Sequence, residues 1–135
     1  MPEHESSSHM DVADAEDGSS CTIRLRDSFL NYAFADQVKD GVKDACRERL
    51  AHGVRRFVVD VSTVDLMDSC GLSVLIGIRK LVASAGGNVA VVATSPTLLR
   101  LFEITRLNTV LQVVTDVPAA LDLLQRDEAA ATPAA

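Results

Sequence analysis

The sequence predicts an α/β fold with a single, mostly parallel β-sheet of about four to five strands and four to five α-helices. Three observations predict it. The chain has 135 residues, which suits one compact domain. Hydrophobic residues make up 47% of it, enough to bury a core. Short β-branched runs alternate with longer amphipathic segments, as parallel strands alternate with the helices that connect them.

A strand and a helix open the predicted domain. CTIRLR, residues 21–26, alternates apolar and polar side chains as a half-exposed strand does. Residues 33–51 place apolar side chains at helical spacing between charged ones, which predicts an amphipathic helix ended by Gly53. The two apolar faces would hold Cys21, Ile23, Leu25, Phe34, Val38, Val42, Ala45, Cys46 and Leu50.

Three further strand and helix pairs follow. The run Phe57–Val61 in RRFVVDVS and the segment NVAVVAT predict buried strands, and VLQVVT predicts a further strand. Helices are predicted for GLSVLIGIRKLVASA after Asp68 and Ser69, for PTLLRLFEITRL after Ser95, and for the segment that follows Asp116. In the last two helices the expected core positions are Leu98, Leu99, Phe102, Ile104, Leu121, Leu123 and Leu124.

Both ends of the chain predict segments that do not pack. Residues 1–18 have almost no large apolar side chain, so packing cannot offset the entropy lost on ordering. Residues 127–135 are Ala-rich and contain Pro133, which disfavours a helix that continues to the end. We therefore expect disordered tails over 1–18 and 127–135 and one folded domain over 19–126.

Charge and composition exclude several classes of function. The formal net charge of -6 would repel a phosphate backbone, so no direct nucleic-acid partner is expected. No apolar run approaches the ~20 residues that span a bilayer, and the amino terminus is acidic where a signal peptide is basic, so we expect a cytoplasmic protein without a membrane partner. Cys21, Cys46 and Cys70 form no CxxC pair, which predicts buried thiols and neither metal nor cofactor.

The segment FVVDVSTVDLMDSCGLSVLIGIRK, residues 57–80, carries the functional signal. It passes from a buried strand through an acidic loop into a helix start. The Ser69 hydroxyl could cap this helix or carry a phosphate, because backbone N–H groups and the positive end of the helix dipole point outward there. Ser69 is expected to be exposed. Asp60, Asp65 and Asp68 lack the regular spacing of a calcium loop, so they predict a solvated acidic loop.

The order of these motifs is similar to that of a known family. DSCGL, the apolar helix, the Gly-Gly stop, NVAVVAT, SPTLLRLFEITRL and VLQVV resemble the anti-sigma factor antagonists and their STAS domain over residues 20–125. In that family the motif is Asp-Ser-(Ser/Thr)-Gly-Leu, and its first Ser is phosphorylated by a partner that is both kinase and anti-sigma factor. The resemblance implies a single STAS domain with Ser69 as phosphoacceptor. The implied partner-binding loop comprises Asp65, Met67, Asp68, Ser69, Cys70, Gly71 and Leu72.

The resemblance implies a bacterial regulatory switch and not an enzyme. Unphosphorylated antagonists bind the anti-sigma factor/Ser-Thr kinase and free the sigma factor, and the phosphorylated form is released. A Ser phosphatase would restore the first state. We therefore expect partner switching in transcription regulation, of the kind used in stress responses, with no catalytic residue and no cofactor in this chain.

The chain departs from the family pattern in two places. Cys70 stands where Ser or Thr is usual. Family members also have a Gly closely followed by a Leu-Asp pair after the early strand, and here Asp27 stands near the Gly while Leu30 or Asn31 stands near the Asp. That Asp lies beside the phosphorylation site in the family. The alternative is therefore a STAS adaptor or nucleotide-responsive module that does not switch by phosphorylation.

Other functions fit the residues less well. Asp60 and Thr94 end successive strands, as the acceptor Asp and switch Thr of a response-regulator receiver do, but RDS and VVTD stand where its acidic pair and Lys are needed. Cys70 lacks the C-x5-R spacing of a cysteine phosphatase, since Ile76 holds the Arg position; a redox-sensitive thiol stays open. No nucleophile, base and orienting group can be assembled.

Overall fold

A computed structural model describes the backbone of residues 4–6 and 9–131 and the side chains of residues 9–127. The strands are β1 (His4–Ser6), β2 (Met10–Asp14), β3 (Ser20–Leu25), β4 (Phe29–Leu30), β5 (Arg56–Asp60), β6 (Leu66–Met67), β7 (Asn88–Val92) and β8 (Gln112–Val114). The helices are α1 (Ala35–Ala51), α2 (Ser69–Ser84), α3 (Pro96–Ile104) and α4 (Val117–Ala131), with a 3-10 helix at Leu107–Thr109. The predicted alternation of strands and helices is confirmed.

The main sheet has six strands in the order β1-β2-β3-β5-β7-β8. β3, β5, β7 and β8 pair in parallel, which confirms the mostly parallel α/β prediction. β2 and β1 add to one edge in antiparallel orientation and raise the strand count above the expected four to five. A second, two-stranded sheet pairs β4 with β6 in parallel, beside the start of α2.

The core lies on both faces of the central strands. Because successive side chains of a strand point to opposite faces, β5 and β7 contribute to two apolar clusters. The larger cluster contains Phe57, Val59 and Val91 of the sheet together with buried residues of α1, α2 and α3. The smaller one joins Val58, Ala90 and Val92 to Ala120 and Leu124 of α4. α2 is thus packed on the sheet with its first residue beyond the carboxyl end of β5.

The predicted tail over 1–18 is wrong in two places, since His4–Ser6 form β1 and Met10–Asp14 form β2. Met10 and Val12 alternate with Asp11 and Ala13 along this strand, and Val12 is only 2% exposed. The strand pairs with β3 from Met10↔Leu25 to Asp14↔Cys21. One buried Val and a backbone ladder are enough to order the segment, although its composition is acidic. Residues 1–3, 7 and 8 lie outside the described residues.

Two expectations near the carboxyl terminus also need correction. α4 continues through Ala131, beyond the expected start of a tail at residue 127, because Glu and Ala favour helix. Pro133 lies outside the described residues. Ile104, expected to face the core, is 67% exposed at the end of α3, whereas Leu98 and Phe102 are buried as expected. Among the described residues, no helix is long and apolar enough to cross a bilayer.

Candidate functional site

The start of α2 divides two roles between Asp68 and Ser69. Asp68 is the N-cap, and its Oδ1 accepts hydrogen bonds from the backbone N–H of Cys70 at 2.9 Å and of Gly71 at 3.0 Å. Ser69 is the first helical residue and is exposed, as expected. Within the described residues its hydroxyl makes no hydrogen bond. Capping therefore belongs to Asp68, and the Ser69 hydroxyl is available to a partner.

The loop before Ser69 lies against the segment that contains β4. The Ser28 carbonyl accepts the Asp65 N–H at 2.8 Å, and the Leu30 carbonyl accepts the Asp68 N–H at 3.2 Å. In return, the Tyr32 N–H donates to Oδ2 of Asp68 at 2.9 Å. The capping carboxylate thus bonds both its own helix and the neighbouring segment.

The start of α3 holds the same loop from the other side. The Ser95 hydroxyl donates to the Asp65 carbonyl at 3.1 Å and accepts the Leu98 N–H at 3.2 Å as the N-cap of α3. The Thr94 hydroxyl donates to the Ser62 carbonyl at 3.3 Å. Fixed on two sides, the loop presents Ser69 from an ordered support.

Gly71 is required by the close approach of β4 to α2. A Cβ atom at this position would lie 2.6 Å from the Leu30 carbonyl oxygen and 3.0 Å from Cβ of Met67. The first of these atoms belongs to the backbone and the second to a residue of β6, so moving either of them aside costs free energy. The Gly of the DSCGL motif is therefore explained by packing.

Asp68 is a carboxylate next to the candidate phosphoacceptor. The backbone N–H groups of Gly71, Tyr32 and Cys70 hold the pKa of the Asp68 carboxyl below its ordinary value. Asp65, three residues earlier, is exposed. A negative charge added to Ser69 would therefore be added to a surface that is already acidic.

The structure separates the predicted partner-binding residues into exposed and buried ones. Asp65, Ser69 and Cys70 are exposed, and Asp68 and Leu72 are half-buried. Met67 is 3% exposed and Gly71 is buried, so in the free protein they lie beneath the loop and support it.

The cysteines differ from the expected set of three buried thiols. Cys21 and Cys46 are buried as expected, and this burial raises the pKa of each thiol to about 12. Cys70 is exposed because it lies on the outer side of the first turn of α2, next to Ser69.

Sequence reasoning missed an apolar part of this face. Phe29 is 43% exposed, Leu66 is 42% exposed and Tyr32 is 79% exposed. Phe29 and Leu66 are opposite each other in the β4–β6 pair, and Tyr32 bonds Asp68. We call these three residues the apolar rim. A signal was present in FLNYAF, where large apolar residues cluster between a strand and a helix without either periodicity.

The departures from the family pattern occupy defined positions. Oδ2 of Asp27 lies 2.9 Å from Nδ1 of His9. Leu30 is buried in β4. Asn31 lies between Leu30 and Tyr32, the two residues that bond Asp68, and its Oδ1 accepts the Ala33 N–H at 2.8 Å just before α1. The segment that bonds Asp68 therefore carries a neutral amide at this position.

The three acidic residues of the loop are not brought together. Asp60 is 8% exposed and accepts the Ser62 N–H at 2.9 Å, whereas Asp65 is exposed and Asp68 caps α2. Over residues 9–127 no three His, Cys, Asp or Glu side chains are arranged to hold a metal ion.

Comparison with known proteins identifies a family and a related protein. The STAS domain family matches residues 13–120. A Thermotoga neapolitana protein, named as a homologue of an anti-sigma factor antagonist, is 31% identical over 103 residues, which cover 76% of this chain and 88% of that protein.

Two solved structures show the same fold. An anti-sigma factor antagonist of Thermotoga maritima has a TM-score of 0.69 at 24% identity, with 84% of this chain and 92% of that one covered. The Bacillus cell fate determinant SpoIIAA in its phosphorylated form has a TM-score of 0.58 at 18% identity, with 84% and 96% covered. The sequence matches and the shared fold together lead to one conclusion: this chain belongs to the STAS domain family, among the anti-sigma factor antagonists.

Proposed function

We propose that this protein binds an anti-sigma factor that is also a Ser kinase, through the face around Ser69, and that phosphorylation of Ser69 ends the complex. The observation that carries the proposal is the hydroxyl of Ser69, which is exposed at the first residue of α2 while Asp68 performs the capping. A kinase can reach this hydroxyl without unfolding the helix.

The surroundings of Ser69 suit a contact with another protein. The apolar rim of Phe29, Tyr32 and Leu66 offers aromatic and aliphatic area of the kind found at the centres of interfaces. Asp65 directly precedes Leu66 in the chain, Cys70 directly follows Ser69, and both are exposed. A partner seated on Ser69 would therefore also bury the rim.

The switch would act through charge and desolvation. A phosphate adds about -1.5 to -2 charges at neutral pH, next to the carboxylate of Asp68. Burying that charge against the apolar rim is unfavourable unless the partner supplies cations. A loss of only ~3 kcal/mol in binding free energy would weaken the complex more than a hundredfold. Any transfer chemistry belongs to the partner, and a Ser phosphatase would reverse it.

The test combines each candidate anti-sigma kinase with ATP and the purified protein, followed by intact mass measurement and a pull-down. We expect one phosphate on the wild type, none on Ser69→Ala, and loss of the complex after phosphorylation. Ser73→Ala is the matched control, since Ser73 is exposed on the same helix and its hydroxyl is bonded to the Ser69 carbonyl at 2.9 Å. It should be phosphorylated normally.

Two outcomes would contradict the proposal. Binding without phosphorylation by any kinase would favour the STAS adaptor, for which the neutral Asn31 beside the site is the supporting observation. Phosphate on Ser73 or elsewhere would reject Ser69 as the acceptor.

A further inference from the structure

We infer that His9, which precedes β2, positions the partner-binding face through a contact with Asp27. The expected effect on partner binding rests on the proposed function, whereas the positioning of the loop by His9 rests on geometry alone. His9 lies outside the STAS match over residues 13–120, and Asp27 is a position where the chain departs from the family pattern. The resemblance to the family therefore does not imply this contact.

The His9 ring contacts three side chains at once. Its Nδ1 lies 2.9 Å from Oδ2 of Asp27, and its Nε2 lies 3.1 Å from Oε1 of Gln37 in the first turn of α1. Its plane stacks on Phe34, with 5.1 Å between ring centroids and 12° between planes. His9 and Asp27 are 24% and 23% exposed, so the contact is partly shielded from water. We call His9, Asp27, Phe34 and Gln37 the His9 clamp.

The clamp is anchored to the body of the domain. The His9 carbonyl accepts the Arg26 N–H at 2.9 Å, which continues the pairing of β2 with β3. Met10 follows directly and covers Gly41 of α1 so closely that a Cβ atom there would overlap Cε of Met10. β2 is thus fixed directly after His9, the residue that contacts Asp27.

The clamp closes both ends of the segment that supports Ser69. Asp27 begins the segment and Phe34 ends it, just before α1. Between them, the carbonyl of Ser28 bonds the Asp65 N–H, the carbonyl of Leu30 bonds the Asp68 N–H, and the Tyr32 N–H bonds the Asp68 carboxylate. Phe29 and Tyr32 of the apolar rim belong to the same segment. Loosening either end would therefore disturb the rim and the cap of α2 together.

A direct test measures amide hydrogen exchange by NMR in the free protein. His9→Phe keeps an aromatic ring to stack on Phe34 but removes the polar contacts with Asp27 and Gln37, and Asp27→Ala removes the carboxylate that Nδ1 contacts. We expect exchange at the amides of Asp65, Asp68 and Tyr32 to rise about tenfold in each variant, the size of effect that one such contact has on a local opening equilibrium. The Val59 amide in the core strand β5 should not change.

The double variant and a neighbouring ion pair provide controls. Adding Asp27→Ala to His9→Phe should have no further effect, because both changes break the same contact. Asp11 of β2 forms an ion pair with Arg26 at 3.7 Å, and this pair does not hold the segment. Asp11→Asn should therefore leave the exchange of all four amides unchanged. If amide exchange is unchanged in His9→Phe and Asp27→Ala, or if it rises equally at Val59, the clamp does not position the segment.

The consequence for function has its own readout. With an anti-sigma kinase that phosphorylates Ser69, His9→Phe and Asp27→Ala should each weaken the pull-down about tenfold, while Asp11→Asn should not. Faster amide exchange with undiminished binding would overturn the role of the clamp in partner binding. If no kinase acts on Ser69, the proposed function fails, but the exchange experiment still decides whether the clamp positions the segment.

Discussion

At the scale of single residues, Gly71 links the sequence motif to the site. Gly71→Ala should lower the free energy of unfolding by about 1–3 kcal/mol, because the new Cβ would meet the Leu30 carbonyl at 2.6 Å and overpack a strand-anchored contact. Urea titration measures the loss. Gly77→Ala in the same helix is the control, since its Cβ would meet only the flexible Lys43 side chain, at 3.3 Å. A similar loss in both variants would contradict the steric explanation.

The three cysteines should differ in reactivity for a reason that is also local. Burial raises the pKa of Cys21 and Cys46 to about 12, so at about pH 8 roughly one in ten thousand of these thiols is a thiolate. An aromatic disulfide reagent should therefore modify one thiol rapidly in the native protein and three after unfolding. Cys70→Ser should abolish the rapid phase, because only Cys70 among them is exposed. A rapid phase that persists in Cys70→Ser would refute the assignment.

At the scale of elements, the sequence predicts best where one physical signal dominates. The central strands β5 and β7 are runs of Val that must be covered on both faces, and Asp68 and Ser95 are N-cap residues followed by apolar helices. β2 was missed because it has a single buried side chain, Val12, in acidic surroundings. Its order comes from pairing with β3, which is information that no local window contains.

The residues of the candidate site also differ in how well the sequence predicts them. Exposure of Ser69 follows from its place at a helix start, so the motif is sufficient to predict it. The apolar rim depends on the pairing of Phe29 with Leu66, which are distant in sequence and joined in two-residue strands too short to give a periodic pattern. Which apolar loop residues stay exposed is a tertiary property, so the apolar cluster in FLNYAF indicates the segment but not which of its side chains are exposed.

At the scale of the whole molecule, the candidate site lies at one end of the main sheet, and the other end lies across the core from it. Ser69 follows the carboxyl end of β5, whereas Arg56 and Asn88 begin β5 and β7 at the opposite end. Between them lie the buried side chains of Phe57, Val59 and their neighbours in α2. A phosphate on the exposed Ser69 hydroxyl adds charge outside this core and displaces none of its side chains.

Phosphorylation should therefore change the surface without changing the fold. At the N-terminus of α2 the helix dipole favours a phosphate by about 0.3–1 kcal/mol, and the neighbouring Asp68 carboxylate opposes it, so the free energy of unfolding should move by less than about 1 kcal/mol. Amide chemical shifts should change over residues 28–32 and 65–72 and stay fixed at Arg56 and Asn88. Ser69→Ala, treated with the same kinase, is the control. Shifts that reach the far end of the sheet would mean that the switch works by refolding and not by charge at the interface.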